Sequence, residues 1–428
     1  MNAHSSEPFG QDLAAKVPSF SSPATNERVM TTFGEIFTWV RTNNLSREHL
    51  SDEPAGDIQN IHYGDIHSKY RAQFRQSEEC VPYINVTAPG SVSSSEYLKE
   101  GDVVIADASE DYADVGKSIE IMEVDGSPLV AGLHTYVARP KAGKIAPGFA
   151  GYLLQSAAVR AQIIRAAQGI SVLGISKKNL EKVVLLLPTP DEQRRIAGTL
   201  SAVDAKIDAL KAKKSALEDY KRGLMQKLFS REIRFTREDG TAFPQWTERR
   251  LGDVLEQPLR QPVVDYYERE LLTVRLHCNG IAATGKQPRK TQSARPYYVR
   301  RAGELLVGRQ NFHNGGFGIV PAHLDGFIAS NAISSYRVAS DEVSLDFIVK
   351  CLSRHDYYRK VEDLIGGTGQ KEISHDEFVK LKVFIPSLEE QRLILNAIVS
   401  IEDKISATDE HLKTVQAFKK GLLQKLFV

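Results

Sequence analysis

Residues 188–229 and 386–427 are two copies of one stretch. They align without a gap at an offset of 198, and 15 of the 42 aligned positions are identical. A long-period repeat constrains the fold before any local signal does, because what one copy forms the other must form as well. Each copy reads as a long helix. Thr189 and Ser387 are N-cap residue types, and Glu192 and Glu390 follow three residues later, the pattern of a capping box. Pro190 suits a first helical turn. The apolar positions then step by four and three: Ile196, Leu200, Val203, Ile207, Leu210, Leu217, Leu224 and Leu228 in one copy, with Lys214 and Lys221 interrupting. The other gives Ile394, Ile398, Ile401, Ile405, Leu412, Val415, Leu422 and Leu426, with Thr408 and Lys419 interrupting. A narrow apolar stripe sustained this long predicts a coiled coil, the competing reading being two core helices in separate bundles.

The helices are expected to pair with each other, antiparallel. The first delivers the chain into a globular segment, and compact domains often keep their termini close together, so the second helix should start beside the end of the first. The expected fold class is α+β: two repeated α+β domains separated by two long antiparallel coiled-coil helices, pseudo-two-fold, on a rod of ~60 Å. Gly223 and Gly421 stand at equivalent places in both copies. Glycine inside a helix costs ~1 kcal/mol relative to alanine, so either another backbone approaches closely or the helix ends there.

The 428 residues are enough for two or three domains. No apolar run approaches the ~20 residues of a membrane span, and no apolar leader core opens the chain. Cys80, Cys278 and Cys351 lack metal-ligand or disulfide spacing, which predicts a reducing, cytoplasmic setting. A net charge of +1 leaves any nucleic-acid-binding face to be local.

In chain order, residues 1–28 read as a tail, 29–187 as a first domain, 188–230 as the first helix, 231–386 as a second domain and 387–428 as the second helix. In the first domain 81–86, 102–105 and 134–138 read as strands and 149–167 as helical. The domains repeat each other loosely. Phe33-Gly34-Glu35-Ile36 answers Leu251-Gly252-Asp253-Val254, IHYGDIH (61–67) answers LHCNGIA (276–282), and GDVVIA (101–106) answers GELLVG (303–308). GISVLGISKKNLEKVVLLLP (169–188) matches GTGQKEISHDEFVKLKVFIP (367–386). Similar helices carrying dissimilar domains suggest one task performed on two targets.

With PDEQRRI, LEEQRLI, RGLMQKLF, KGLLQKLF and the link RFTREDGTAFPQW (234–246), this order resembles the specificity subunit of a type I restriction-modification system, over residues 29–428. The resemblance implies two target-recognition domains, each reading half of a split, asymmetric site in double-stranded DNA. It implies docking of two methyltransferase subunits that bind S-adenosylmethionine, and of endonuclease/translocase subunits. The chain itself would be non-catalytic, with no cofactor and no metal, directing adenine methylation and restriction by its partners. The first domain's GDVVIADASEDYADVGKS (101–118) departs from the family pattern in being acidic and poor in glycine.

No phosphate loop, HExxH or amino-methyltransferase tetrapeptide occurs. Glu402 and Lys404 have the spacing of a nuclease pair but fall in the predicted coiled coil. His62 and His277 read as satisfying turns or core hydrogen bonds. The local signal for DNA is the stretch 271–303, which lacks every acidic residue and contains Arg275, Lys286, Arg289, Lys290, Arg295, Arg300 and Arg301, with Tyr297 and Tyr298 among them. Cations there neutralise phosphates, and arginine also reads guanine edges. Arg309, Gln310 and Asn311 follow, types that pair bidentately with guanine or adenine. A solvated charge run is the plainer alternative. The first domain offers Lys69, Tyr70, Arg71, Phe74 and Arg75 after IHYGDIH, within a span (29–188) where 15 Lys and Arg face 19 Asp and Glu. A coiled-coil scaffold without a DNA role, or a self-contained nuclease or methyltransferase, are the other functional readings.

Overall fold

The computed structural model describes residues 28–54, 56–89, 92–290, 295–361 and 372–427. Most of the expected tail, the GTGQ of 367–370 and four residues of the basic stretch (291–294) lie outside these. The chain divides into two compact units, one of residues up to Ala212 with Glu410–Val428, the other Lys213–Asp409.

In the first unit a five-stranded sheet runs in the order Phe37–Val40, Thr135–Pro140, Val103–Ala106, Ser118–Glu123, Gln73–Arg75. All its pairings are antiparallel except the last. The strand Val103–Ala106 is apolar throughout and buried on both faces. Successive side chains of a strand point to opposite sides. Val103 and Ile105 therefore join one core, and Val104 and Ala106 another, with Ile61, Ile66, Tyr70, Phe74 and Leu129. The first core also takes in Ile196, Leu200, Val203, Ile207, Leu210, Val415 and Leu422 of the long helices. The 149–167 run forms two helices, Phe149–Leu153 and Ala157–Ala166, with Ser156 as the N-cap of the second.

The second unit repeats the frame. Its four-stranded sheet runs Leu255–Glu256, Ile333–Val338, Leu305–Gly308, Phe317–Ile319. Leu305 and Val307 face the larger core, and Leu306 the smaller. The larger core includes Met225, Leu228, Phe229, Ile394 and Ile398 of the long helices. Each unit also carries an antiparallel ribbon, Val29–Thr32 with Val184–Leu187 in one and Thr247–Arg250 with Lys382–Ile385 in the other.

The long helices span Pro190–Phe229 and Leu388–Leu426. Within the second unit Lys214 meets Asp409 at 2.6 Å and Lys221 meets Glu402 at 2.7 Å. Seven residues forward on one helix are seven back on the other, so the pairing is antiparallel. Within the first unit Lys419 meets Asp204 at 2.6 Å. The three lysines that interrupt the seams therefore each find a carboxylate across the helix pair. Thr408 is buried, its hydroxyl donating to the Lys404 carbonyl one turn back. Each unit's own domain joins one pair. Tyr152 donates to Asp204 at 2.8 Å, and Lys350, 198 residues later, donates to Glu402 at 2.6 Å. Burial alone would raise the Glu402 carboxyl, but the hydrogen bonds from Lys221 and Lys350 outweigh it and hold it low. That carboxylate is structural and its nuclease-like spacing to Lys404 coincidental.

The glutamine of each PxxxEQ start, Pro188 to Gln193 and Pro386 to Gln391, is a staple. Gln193 accepts from the Ala146 amide at 2.8 Å and donates to the Pro188 carbonyl at 2.9 Å. Gln391 accepts from Ser344 at 2.8 Å and donates to Pro386 at 3.0 Å. Both side chains are buried, so these bonds satisfy backbone groups that water cannot reach. The hydroxyl half of each capping box forms, Thr189 accepting from the Glu192 amide and Ser387 from the Glu390 amide. The Glu390 carboxylate is drawn instead to Arg234 of the interdomain link, at 2.8 and 3.0 Å. Gly223 and Gly421 lie inside their helices, and a Cβ built on either meets nothing within 4 Å. Among the described residues no backbone approaches either one closely.

Candidate nucleic-acid interface

In the second domain the acid-free stretch begins as a hairpin, Leu272–Val274 paired with Ile281–Ala283. It ends in the strand Tyr297–Val299, paired with Ile328–Ser330. Arg275, Lys286, Arg289 and Arg295 are exposed. None has a side-chain partner among the described residues, and with no acid in the stretch to neutralise them their charge is open to solvent. Lys290 sits over the Tyr267 ring at 4.5 Å. Tyr297 stacks on Tyr266 at 5.3 Å with 17° between the rings, and Tyr266 meets Tyr267 edge-on. The tyrosines 266 and 267, outside the stretch singled out in the sequence, thus join it as an aromatic ladder. A tyrosine pair followed by an arginine two residues on, in YYER (266–269) and YYVR (297–300), is the sequence signal that could have marked them.

Other residues expected to face DNA are engaged within the domain. Arg301 pairs with Asp325 at 3.2 Å and Arg309 with Glu372 at 2.8 Å. Gln310 and Asn311 are exposed in the turn Arg309–Asn314 that follows the strand Leu305–Gly308. Tyr298 lies beneath Arg300, 5.6 Å from ring to guanidinium. Arg300 itself is a correction: it is 5% exposed and donates to the Ser330 and Ile333 carbonyls. Burial pushes its guanidinium down to about 10. A buried arginine tying strands together neutralises no phosphate.

Tyr70 in the first domain is the other correction. Its ring is 7% exposed, edge-on to Phe74, with its hydroxyl donating to the Cys80 carbonyl, and burial pushes the phenol up. The basic residues around it are paired. Lys69 meets Asp65 at 2.9 Å, Arg71 meets Glu78 at 3.1 Å and Asp208 of the long helix at 2.9 Å, and Arg75 lies 3.9 Å from Glu78. Arg71 thus ties its domain to the helix. What the first domain presents instead is a histidine cluster. His62, His67 and His134 surround Tyr63 at ring separations of 4.6, 5.8 and 5.4 Å. His62 Nδ1 accepts from the Gly64 amide, capping a turn, and burial lowers its pKa. His134 Nδ1 donates to Asp107 at 3.2 Å. Asp107 occupies the place that Arg309 has in the second domain: its amide donates to the His134 carbonyl as the Arg309 amide donates to that of Ala332. The two domains therefore differ in charge at the same point of one frame.

Among the described residues no helix is long and apolar enough to cross a membrane. The family model of the type I restriction modification DNA specificity domain matches residues 32–219 and 287–417. The MjaVIII type I restriction enzyme specificity subunit of Methanocaldococcus jannaschii is 21% identical over 291 residues, 64% of this chain and 68% of that one. The putative MjaX specificity subunit of the same organism is 24% identical over 348 residues, 76% of this chain and 77% of that one. The crystal structure of the type I S subunit from M. genitalium shares the fold, with a TM-score of 0.57 at 14% identity, covering 96% of this chain and 99% of that chain. A second solved chain, from work on complex assembly and conformational transition of the type I system, gives 0.53 at 16% identity over 94% and 97%. Two copies of one frame, paired helices of 40 and 39 residues and a family match over both copies identify the chain as a member of the type I restriction-modification DNA specificity family, a specificity subunit of such a system.

Proposed function

We propose that the chain reads a two-part, asymmetric site in double-stranded DNA, residues 29–187 reading one half and 231–386 the other. It carries no catalysis of its own. Two methyltransferase subunits that bind S-adenosylmethionine dock on it and methylate one adenine on each strand, and endonuclease/translocase subunits complete a restricting assembly in the cytoplasm. The observation that carries DNA contact is the set of exposed cations Arg275, Lys286, Arg289 and Arg295, without a side-chain partner among the described residues, beside the tyrosine ladder. Exposed arginine and lysine release counterions from phosphate whatever the base sequence. The test is DNA binding by the chain assembled with its methyltransferase across a salt series. A steep, linear fall of log affinity with log salt supports the reading, whereas salt-independent or absent binding favours a scaffold. Methyl transfer or cleavage by the chain alone would contradict it.

A further inference from the structure

Among the described residues four non-glycine positions adopt a left-handed backbone: His134 at φ 58°, Arg231 at 66°, His277 at 57° and Cys278 at 57°. Side chains disfavour this conformation, and such strain gathers at functional sites. Arg231 has a local account, since it follows the end of the first long helix and lies over the Phe384 ring. The other three stand in turns between strands, His134 immediately before Thr135–Pro140. Cys278 follows His277 in the tight turn of the hairpin, where the Asn279 amide reaches the Leu276 carbonyl. Turns with two left-handed central residues favour Asn-Gly, and here His-Cys stands instead.

Both histidines sit at the same end of the equivalent central strand. His134 is held against Asp107, the residue after Val103–Ala106. The His277 amide donates at 2.7 Å to Asn314, in the turn after Leu305–Gly308. Both rings reach solvent, that of His134 being 47% exposed. Asp107 accepts from His134 Nδ1, which leaves Nε2 as an acceptor pointing away from that bond. Tyr63, edge-on to the ring, fixes its tilt. An imidazole set in this way suits the exocyclic amino group of adenine or cytosine in the major groove.

We propose that His134 and His277 are specificity-determining residues, each presenting its imidazole to a base edge in the half-site of its own domain. This rests on the reading that each domain takes one half. The test uses the full complex with its methyltransferase, carrying His134→Gly or His277→Gly, with His134→Asn as a left-handed-tolerant polar control. Glycine removes the ring and relieves the backbone, so the thermal midpoint of each glycine variant should hold or rise. Sequencing of methylated adenines should show His134→Gly relaxing one position in one half of the motif only, with about ten-fold more methylation at sites altered there. His277→Gly should do the same in the other half only. A stable variant that methylates the original motif unchanged would overturn the proposal, as would loss of stability in the glycine variants or relaxation of both halves by either one. A wild-type motif without two halves would overturn the two-half reading itself, a result distinct from all of these.

Discussion

Lys221 of the first long helix donates to Glu402 of the second at 2.7 Å, and 198 residues further on Lys419 donates to Asp204 at 2.6 Å. The repeat has exchanged the helices between donor and acceptor and kept the ion pair. A heptad seam alone tolerates a slip of seven residues, but a slip one way would put Lys221 against Leu395 and a slip the other way would put Lys419 against Lys211, stranding charge in either case. The ion pairs therefore fix register as well as adding attraction. A double-mutant cycle of Lys419→Met with Asp204→Asn should give a coupling energy of about 1 kcal/mol in urea unfolding. Exchanging the pair, Asp204→Lys with Lys419→Asp, should recover part of the loss. Coupling indistinguishable from zero would mean that the apolar seam alone sets the register.

Gly223→Ala and Gly421→Ala should each stabilise the chain by about 1 kcal/mol, since a Cβ meets open space and alanine is the better helix former. Thermal or urea unfolding checks this. A destabilised variant would show that the glycines answer a need inside the chain.

Much of the fold is legible in the sequence, for physical reasons. The helices announce themselves because a 3.5-residue apolar period has one structural meaning, and their interrupting lysines stand out against it. The role of Gln193 and Gln391 is not legible there, because their partners Ala146 and Ser344 lie 47 residues away and are backbone groups, which sequence does not mark. At the candidate interface the absence of acids around Arg275 to Arg295 is a sequence property, and Arg275, Lys286, Arg289 and Arg295 are exposed in the fold. Composition does not show that Arg300 and Tyr70 turn inward, since a basic or aromatic residue looks the same in a run whichever face of its strand or helix it occupies. Of the first domain's histidine cluster, His62 and His67 stand together in IHYGDIH, but His134 joins them only through the fold, which sequence does not mark.

Glu120 gives the first unit a pH signature. It is 1% exposed, accepts from the Gly148 and Gly151 amides at 2.6 and 2.8 Å, and is pushed up to about 7 by burial, which outweighs those bonds. A carboxyl whose folded pKa lies above its unfolded value binds more protons in the folded state. Its contribution to stability is fully present below pH ~4.5 and falls as pH rises to about 7. Urea unfolding from pH 4.5 to 7.5 should show that decline, and Glu120→Gln should flatten it at some cost to baseline stability. An unchanged pH profile in the variant would place the titration elsewhere.

Replacing Arg275, Arg289 and Arg295 together with alanine should weaken DNA binding by the assembled complex. The slope of log affinity against log salt should shrink by up to about 0.9 for each phosphate no longer neutralised. These side chains have no partner among the described residues, so folding stability should stay within about 0.5 kcal/mol of the parent. A full salt slope in the triple variant would turn this face away from DNA.

The division of labour between the domains is the centre of the account, and one exchange tests it. Residues 29–187 are replaced with the corresponding segment of a related specificity subunit, the complex is expressed with its methyltransferase, and methylated adenines are mapped across the host genome. The account predicts a new motif in which one half has changed to that of the donor while the other half stays as it was. A motif altered in both halves, or in neither, would contradict it.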